Sequence, residues 1–465
     1  MVGGSVVHAC RGAAPRQEKL HQGTRGQGGW GPDLRCLRAI IVIPLLTGVP
    51  SVLIRNVAAH PLFKRAFPST WSKTLVFADQ LNAVSSLNAA QIHFAATHFV
   101  GTQKILVSLI RKLRAINPGF LVLHYHLAVW QSGKHVPYII DGLHWGNDYN
   151  YVTKHERWFL HTSWASRDNR KDRLKASDGK YLLNITNPAY FRYLVHSLIR
   201  QARAGHDDGI FLDSYSTDAV SYFMHNYSHW RYPRIVQEHK QLGGLTWVQA
   251  SDNFMRRLTA HLNKVGIYCL PNMGDLVTGW DHTDYALANG GMLEGAPGQW
   301  SKYGQRQWIA SANRALKLIN ANKIIIFESY LQHATDYRQR MYWLGTYLLL
   351  RGRYTYITYF KRNPFEYFPE FEINIGAPRE TAKSINDLRH GELFVRDFTA
   401  GQVVVNSADR ESYFYSIPPG SRMARVRGGG AIGQSGKITG QLRLIPVSGR
   451  VRLPPRTALI LVDHH

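Results

Sequence analysis

From about residue 60 onward the chain alternates short, continuous apolar runs with longer stretches whose apolar positions recur every three to four residues. The first pattern reads as strands buried on both faces, the second as helices packed against them. It predicts strands at Thr74–Ala78, Ile92–Ala96, Phe120–Tyr125, Gly209–Asp213, Gly266–Leu270, Gly291–Glu294, Lys323–Phe327 and Tyr354–Tyr359. Between them it predicts helices at Gln103–Ile116, Pro188–Ala204, Trp247–Val265, Tyr303–Ala321 and Thr335–Arg351. About eight strands alternating with helices is what a closed parallel barrel requires, so the expected class is α/β, a (β/α)8 TIM barrel over residues 60–385.

Two departures from the alternation matter. Residues 127–205 are too long for one loop and helix, and they carry Trp130, Trp145, Tyr149, Tyr151, Trp158 and Trp164. Long insertions after barrel strands usually build the walls of a site, so an aromatic cleft is expected there. Within it, Asn187-Pro188 is a good cap and first residue for the following helix. From about residue 390 to 465 the texture becomes short alternating runs separated by Gly and Pro: Glu392–Phe398, Gln402–Asn406, Ser412–Ile417, Leu442–Val447 and Thr457–Val462. This predicts a C-terminal antiparallel β-sandwich.

Three predicted strands end on a carboxylate. Asp213 closes Asp208-Gly209-Ile210-Phe211-Leu212-Asp213, Glu294 closes Met292-Leu293-Glu294, and Glu328 closes Ile325-Ile326-Phe327-Glu328. In a parallel barrel these tips open at one mouth, where converging acids repel one another and dry walls raise their pKa. Cleaving a glycosidic bond uses such an arrangement: one ionised carboxylate at the anomeric carbon and one protonated carboxyl at the leaving oxygen. Asp213 and Glu294 are therefore the candidate catalytic pair, with Glu328, Tyr330 and Tyr215 as candidate substrate contacts. Each has a plain alternative: Asp213 as a helix cap, Glu294 as a partner for an arginine, Glu328 as a partner of Arg338 or Arg340. Asn272 and Asp275 after the fifth strand, and Asp79 after the first, either contact sugar hydroxyls or shape turns. Of His124 and His126 on the third strand, one is expected to point inward, so His124 joins the substrate-contact set, with Trp130 and Trp164 from the insertion. Asp208 reads as a turn residue at the closed end. The His206-Asp207-Asp208 run lies at that same end, and no metal or other cofactor is expected.

Composition adds a partner and a location. Aromatic residues are 12% of the chain, with 12 Trp and 24 Tyr, more than packing needs and suited to stacking on sugar rings. Against 31 Asp and Glu stand 56 Lys and Arg, a formal charge of +25, which favours an anionic partner such as an acidic glycan. The basic residues are scattered, so no stripe suited to nucleic acid emerges. Adaptation of the surface to acidic surroundings explains the charge equally well. Cys10, Cys36 and Cys269 form no disulfide or metal pattern, and Cys269 reads as a small buried apolar residue. Residues 1–59 open with a Gly- and Arg-rich stretch without periodicity. An apolar run, Ala39–Ile54, follows and leads to Val57-Ala58-Ala59, a small-residue site of signal-peptidase type. Export to the periplasm, envelope or medium is expected, with weak membrane association through this segment as the alternative; Pro44 and Pro50 argue against a stable span.

The segment Asp208–Asp213, the upstream Asn184-Ile185-Thr186-Asn187-Pro188 and, in the tail, Phe394–Phe398, Gly401–Asn406 and Leu453–Ala458 resemble bacterial glycoside-hydrolase-like barrels, a group with relatives among polygalactosaminidase-like enzymes. The resemblance spans about Leu75 to Val462 and implies a hydrolase of O-glycosidic bonds in a polysaccharide or oligosaccharide. Carbohydrases of the α-galactosidase clan place the nucleophile after the fourth strand and the acid/base after the sixth, which implies Asp213 and Glu294. Families that use the fifth strand point to Asp275 instead. A glycan-binding or polysaccharide-assembly protein that keeps the cleft without the chemistry is the alternative function.

Overall fold

In the computed structural model the described residues are 63–463, apart from 82–86, 128, 134–138, 141–142, 145–147, 177–178, 216, 218–236, 278–280, 361–366 and 428–434. The apolar run Ala39–Ile54 and Trp145 lie outside them, and no helix among the described residues is long and apolar enough to cross a membrane.

Eight parallel strands form the barrel: β1 (Val76–Gln80), β2 (Phe99–Gln103), β3 (Leu121–Leu127), β4 (Gly209–Asp213), β5 (Tyr268–Pro271), β6 (Gly290–Glu294), β7 (Ile324–Tyr330) and β8 (Thr355–Phe360). They run β6-β7-β8-β1-β2-β3-β4-β5 around the sheet. The seam between β5 and β6 is closed by the parallel bridge of Asn272 with Met292 and by the Met273 N–H, which donates to the Met292 carbonyl at 2.7 Å. The longer helices are α1 (Ala89–His98), α2 (Val107–Ile116), α3 (Pro188–Gly205), α4 (Trp247–Asn263), α5 (Gln305–Asn320) and α6 (Tyr337–Leu350). Between β5 and β6 the described residues hold only single turns, Gly274–Val277 and Tyr285–Leu287.

One predicted strand is a helix. Ile92–Ala96 lies inside α1, and β2 begins at Phe99. The apolar run is too short for periodicity to separate the two states. The cap decides: the Asn88 side chain accepts from the Gln91 N–H at 2.9 Å while the Gln91 side chain accepts from the Asn88 N–H at 3.0 Å, a reciprocal box that starts a helix. At α3 the expected cap is present, with Asn187 accepting from the Ala189 and Tyr190 N–H groups.

The barrel interior is packed by Phe77, Leu123, Phe211, Leu270, Met292, Ile326 and Tyr356. Its lower end is plugged by Phe67, whose ring meets those of Phe77, Tyr268 and Tyr356. Asp208 sits at this closed end, 3% exposed, paired with Arg65 at 3.0 Å and Arg114 at 2.6 Å while accepting from the Val122 N–H. It is structural, as its place before Gly209 suggested. Cys269 is fully buried, and burial pushes its thiol up to about 12.

After the barrel come β9 (Arg389–His390), β10 (Leu393–Phe398), β11 (Gly401–Asn406), β12 (Tyr413–Ser416), β13 (Ser421–Arg427), β14 (Gln441–Pro446), β15 (Arg450–Leu453) and β16 (Thr457–Asp463). Six of them form an antiparallel sheet, β9-β10-β11-β16-β13-β14, and β12 pairs with β15. Leu393, Val395 and Val404 with Ile417, Leu453 and Leu461 fill the space between these layers, which makes a β-sandwich. The six-stranded sheet docks on α6 through Gly345, where an added Cβ would lie 2.3 Å from the Ala458 Cβ.

Arg340 on α6 is paired with Glu370, not with Glu328; both members are fully buried, and the Arg340 Nε donates to Glu370 Oε1 at 2.7 Å. Removing one partner leaves an uncompensated buried charge. Arg340→Leu is therefore expected to cost about 3–5 kcal/mol, read as a lowered urea midpoint at unchanged slope.

Candidate active site

Side chains alternate along a strand, so the apolar interior residue of each strand fixes which later residue also points inward. Two residues beyond Phe77, Gly101, Leu123, Phe211, Leu270, Met292, Ile326 and Tyr356 stand Asp79, Gln103, Tyr125, Asp213, Asn272, Glu294, Glu328 and Thr358. Every strand thus contributes one polar side chain to a ring at the carboxyl end of the barrel. In register, Glu294 lies beside Glu328, and Glu328 beside Thr358.

Three donors hold Asp213. The Tyr125 hydroxyl donates to Oδ2 at 2.5 Å, and the Asn272 amide and the Ser214 N–H donate to Oδ1 at 3.0 and 2.7 Å. Ser214 takes a positive φ of 55°, a turn that brings its own N–H back to the carboxylate it follows. The Asn272 amide nitrogen also donates to Glu294 Oε2, and the Tyr330 hydroxyl donates to Glu294 Oε1. Opposite this pair, Asp79 accepts from the Gln103 amide and from Lys104 Nζ, which lies 3.1 Å from each of its oxygens. Lys104 also has a positive φ, 55°, at the exit of β2, and its ammonium stands 5.0 Å from the centre of the Tyr125 ring.

Four carboxyls therefore face one ammonium among the described ring residues and their neighbours. Burial opposes the charge on Lys104, but the carboxylates of Asp79, Glu328 and Asp213 outweigh it and push its pKa up to about 12. Burial, and then the negative charge of Asp213, push Glu294 up to about 7, against the pull of the Asn272 amide and Lys104. Burial, Asp79 and Glu294 raise Glu328 well above the usual carboxyl range. Burial and Asp213 likewise keep the Tyr125 phenol protonated and available as a donor. One ionised carboxylate beside one protonated carboxyl is what acid-assisted displacement at an acetal carbon needs.

The profile of Hypothetical glycosyl hydrolase family 15 matches residues 114–402, more than half of the chain. The chain belongs to that family. The match runs from α2 through the barrel into β11, and so takes in six of the eight ring residues, Asp213, Asn272, Glu294 and Glu328 among them. No protein of curated function matches this family member. Solved structures similar to it include an α-amylase from Anoxybacillus, at 11% identity over 85% of this chain and 99% of that one, with a TM-score of 0.37. A maltogenic α-amylase from Thermotoga neapolitana is similar at 9% identity over 84% and 99%, with a TM-score of 0.41. The α-amylase from Geobacillus thermoleovorans, solved with acarbose, is similar at 12% identity over 84% and 98%, with a TM-score of 0.37.

Of the residues selected from sequence, the ring brings together Asp213, Glu294, Glu328, Asn272 and Asp79, and Tyr330 joins it through its hydrogen bond to Glu294. Asp275 falls in the turn Gly274–Val277, but its side chain lies outside the described residues. Three selections are corrected. His124 and His126 are two apart and so share a face, the outer one: His124 Nε2 is 2.9 Å from Gln201 on α3, and its Nδ1 is 3.3 Å from Asp207. Tyr215 is fully buried against Phe254, its hydroxyl donating to the Ser251 carbonyl at 2.5 Å. Trp130 is fully buried in the main core.

Of the rings expected to line an aromatic cleft, Trp130 and Trp158 are buried in protein, while Tyr151 and Trp164 are 44% and 40% exposed. Trp158 is buried against His155 at 4.0 Å and Tyr193 at 5.2 Å, and Tyr151 stacks on Tyr193 at 4.7 Å, fastening the insertion to α3. The Arg167 guanidinium stands 4.8 Å from the Trp164 ring. The sequence reading missed Gln103, Lys104 and Tyr125. For Tyr125 the alternation Leu121, Leu123, Tyr125 was available; for Lys104 nothing in the pattern set it apart from other lysines.

Proposed function

We propose that this family member is a retaining glycoside hydrolase acting on O-glycosidic bonds of a polysaccharide or oligosaccharide. The observation that carries this is the shared Asn272 nitrogen, which donates to Asp213 and to Glu294. Two hydrogen bonds from one atom keep the two acceptor oxygens within about 6 Å of each other. That suits the roughly 5–5.5 Å separation of retaining enzymes better than the roughly 6.5–9.5 Å that leaves room for water in inverting ones.

Asp213, oriented by Tyr125, Asn272 and Ser214, attacks the anomeric carbon while Glu294 passes its proton to the departing glycosidic oxygen. A glycosyl ester on Asp213 and a free alcohol result. Glu294, now a carboxylate, takes a proton from water; the water oxygen bonds to the anomeric carbon and Asp213 departs as carboxylate. Asp79, Lys104 and Glu328 are placed to hold hydroxyl groups of the sugar between them. The test is a polysaccharide screen with the chain from His60, reading released reducing ends at acidic and neutral pH. Glycans retained without release would establish binding alone.

Tyr125→Phe removes one of the three donors to Asp213. It is expected to lower kcat about 10²-fold with little change in KM, measured on an aryl glycoside. The run Ala39–Ile54 followed by Val57-Ala58-Ala59 supports export of the protein. A secreted form beginning near His60 is the expected result of N-terminal sequencing from the native host, and an intact Met1 in the cytoplasm rejects it.

A further inference from the structure

At the closed end of the barrel, away from the ring, a cavity of about 280 Å³ opens between the ends of α5 and α6 and the first strands of the sandwich. Arg351, Arg353, Arg396, Trp71, Asn320 and Thr381 are among its lining residues, and no carboxylate is. Arg351 and Arg396 are only 1% and 3% exposed. Arg396 is largely accounted for by the fold: its two Nη atoms donate to the carbonyls of Leu348, Leu349 and Arg351 at the end of α6 and to that of Glu380, and only its Nε is buried without a hydrogen-bond partner among the described residues. Arg351 is not. One of its nitrogens donates to the Gly376 carbonyl, while its Nε and Nη1 are buried without a hydrogen-bond partner among the described residues. The Phe398 ring stands 4.7 Å from the guanidinium carbon, but a ring over that carbon covers its face, and hydrogen bonds are made at its edge.

A buried guanidinium without a counter-charge is costly, and a second one beside it makes the cost larger. Burial, and then the charge of Arg351, push Arg396 down to about 10, against the smaller opposing pull of the Glu380 carboxylate. Arg353 adds a third guanidinium at the exposed rim, with no ion pair of its own among the described residues. We propose that this cavity is a binding site for a small oxyanion, held by Arg353 at its rim and drawn in by the charges of Arg351 and Arg396 in its wall. The chemistry is that of a phosphate, sulfate or carboxylate group, planar or tetrahedral, bridged by guanidinium edges. Its source is either a free inorganic anion or the acid group of a uronic sugar.

Calorimetry and thermal melting of the full chain test this, with sodium phosphate, sodium sulfate and sodium glucuronate each compared with sodium chloride at equal ionic strength. The expected result is one bound oxyanion per chain and a melting temperature that rises with its concentration. Binding of phosphate or sulfate alone assigns an inorganic anion; binding of glucuronate as well assigns the sugar acid. Arg353→Ala, on the exposed rim, is expected to weaken binding about tenfold, the loss of one charge-assisted contact. Thr381→Glu places a fixed carboxylate at the rim, and should raise the anion-free melting temperature and abolish the response to phosphate. Equal behaviour in phosphate and chloride, or unchanged affinity in Arg353→Ala, overturns the proposal. Neither readout involves turnover, so the outcome is independent of the chemistry assigned to Asp213 and Glu294.

Discussion

Asp213→Asn is expected to lower kcat by on the order of 10⁴-fold or more on every glycoside that the parent cleaves, with the melting temperature nearly unchanged. The amide replaces the carboxylate atom for atom: its one oxygen still accepts from Ser214 and Asn272, and its nitrogen donates to the Tyr125 hydroxyl, so packing is kept while the nucleophile is lost. Asp213→Gly provides the sharper form of the test. It empties the position, and added azide should restore turnover of an activated aryl glycoside by attacking the anomeric carbon directly. The product is then a glycosyl azide of inverted configuration. Undiminished turnover in the asparagine variant, or a rescued product of retained configuration, would remove Asp213 from the reaction.

Glu294→Gln separates the acid from the nucleophile. Loss of the proton donor should lower hydrolysis of natural glycosides by about 10²–10⁴-fold, while glycosides with a good leaving group, which need no proton, retain most of their first step. The pH profile carries the same information. The protonated form of Glu294 does the work, and burial together with Asp213 holds its pKa at about 7, so kcat/KM should fall tenfold per pH unit above about 7. The glutamine variant should lack that limb. Stability responds with a definite sign. Because the folded-state pKa lies above the ordinary value of 4.5, the folded chain binds the proton more tightly than the unfolded one. The contribution of Glu294 to stability is then fully present below about pH 4.5 and declines as pH rises towards 7. Glu294→Gln should therefore be the more stable protein at pH 7, with the difference shrinking towards pH 4.5 in urea midpoints. A basic limb that survives in the variant would move the acid to another group.

Much of this molecule was legible in the chain. The strand Gly209–Asp213 could be read to the residue, because four buried positions bounded by Asp208 at one end and by Asp213 and a polar turn at the other leave little latitude. The carboxylates at the ends of β4 and β6 were legible for the same reason, while β7 continues two residues past Glu328 to Tyr330. Ile92–Ala96 was not, since four apolar residues around His93 suit either state and a capping box outside the run decided it. The aromatic insertion misled in another way. A tryptophan has the same composition whether it faces a sugar or a neighbouring helix, and Trp130 and Trp158 face protein. His124, Tyr215 and Trp130 were near the right strands and on the wrong sides of them.

By itself, then, the sequence determined the order of elements, the closed parallel barrel with its β-sandwich, and the end of the barrel at which acids collect. Those follow from local periodicity, which each segment carries within its own residues. Only the tertiary structure decided that Asn272 joins Asp213 to Glu294, that Lys104 and Gln103 secure Asp79, and that Tyr125 rather than His124 completes the ring. These depend on barrel closure and inter-strand register, which here bring together residues 22 to 88 positions apart, and no single segment encodes which neighbour it will meet.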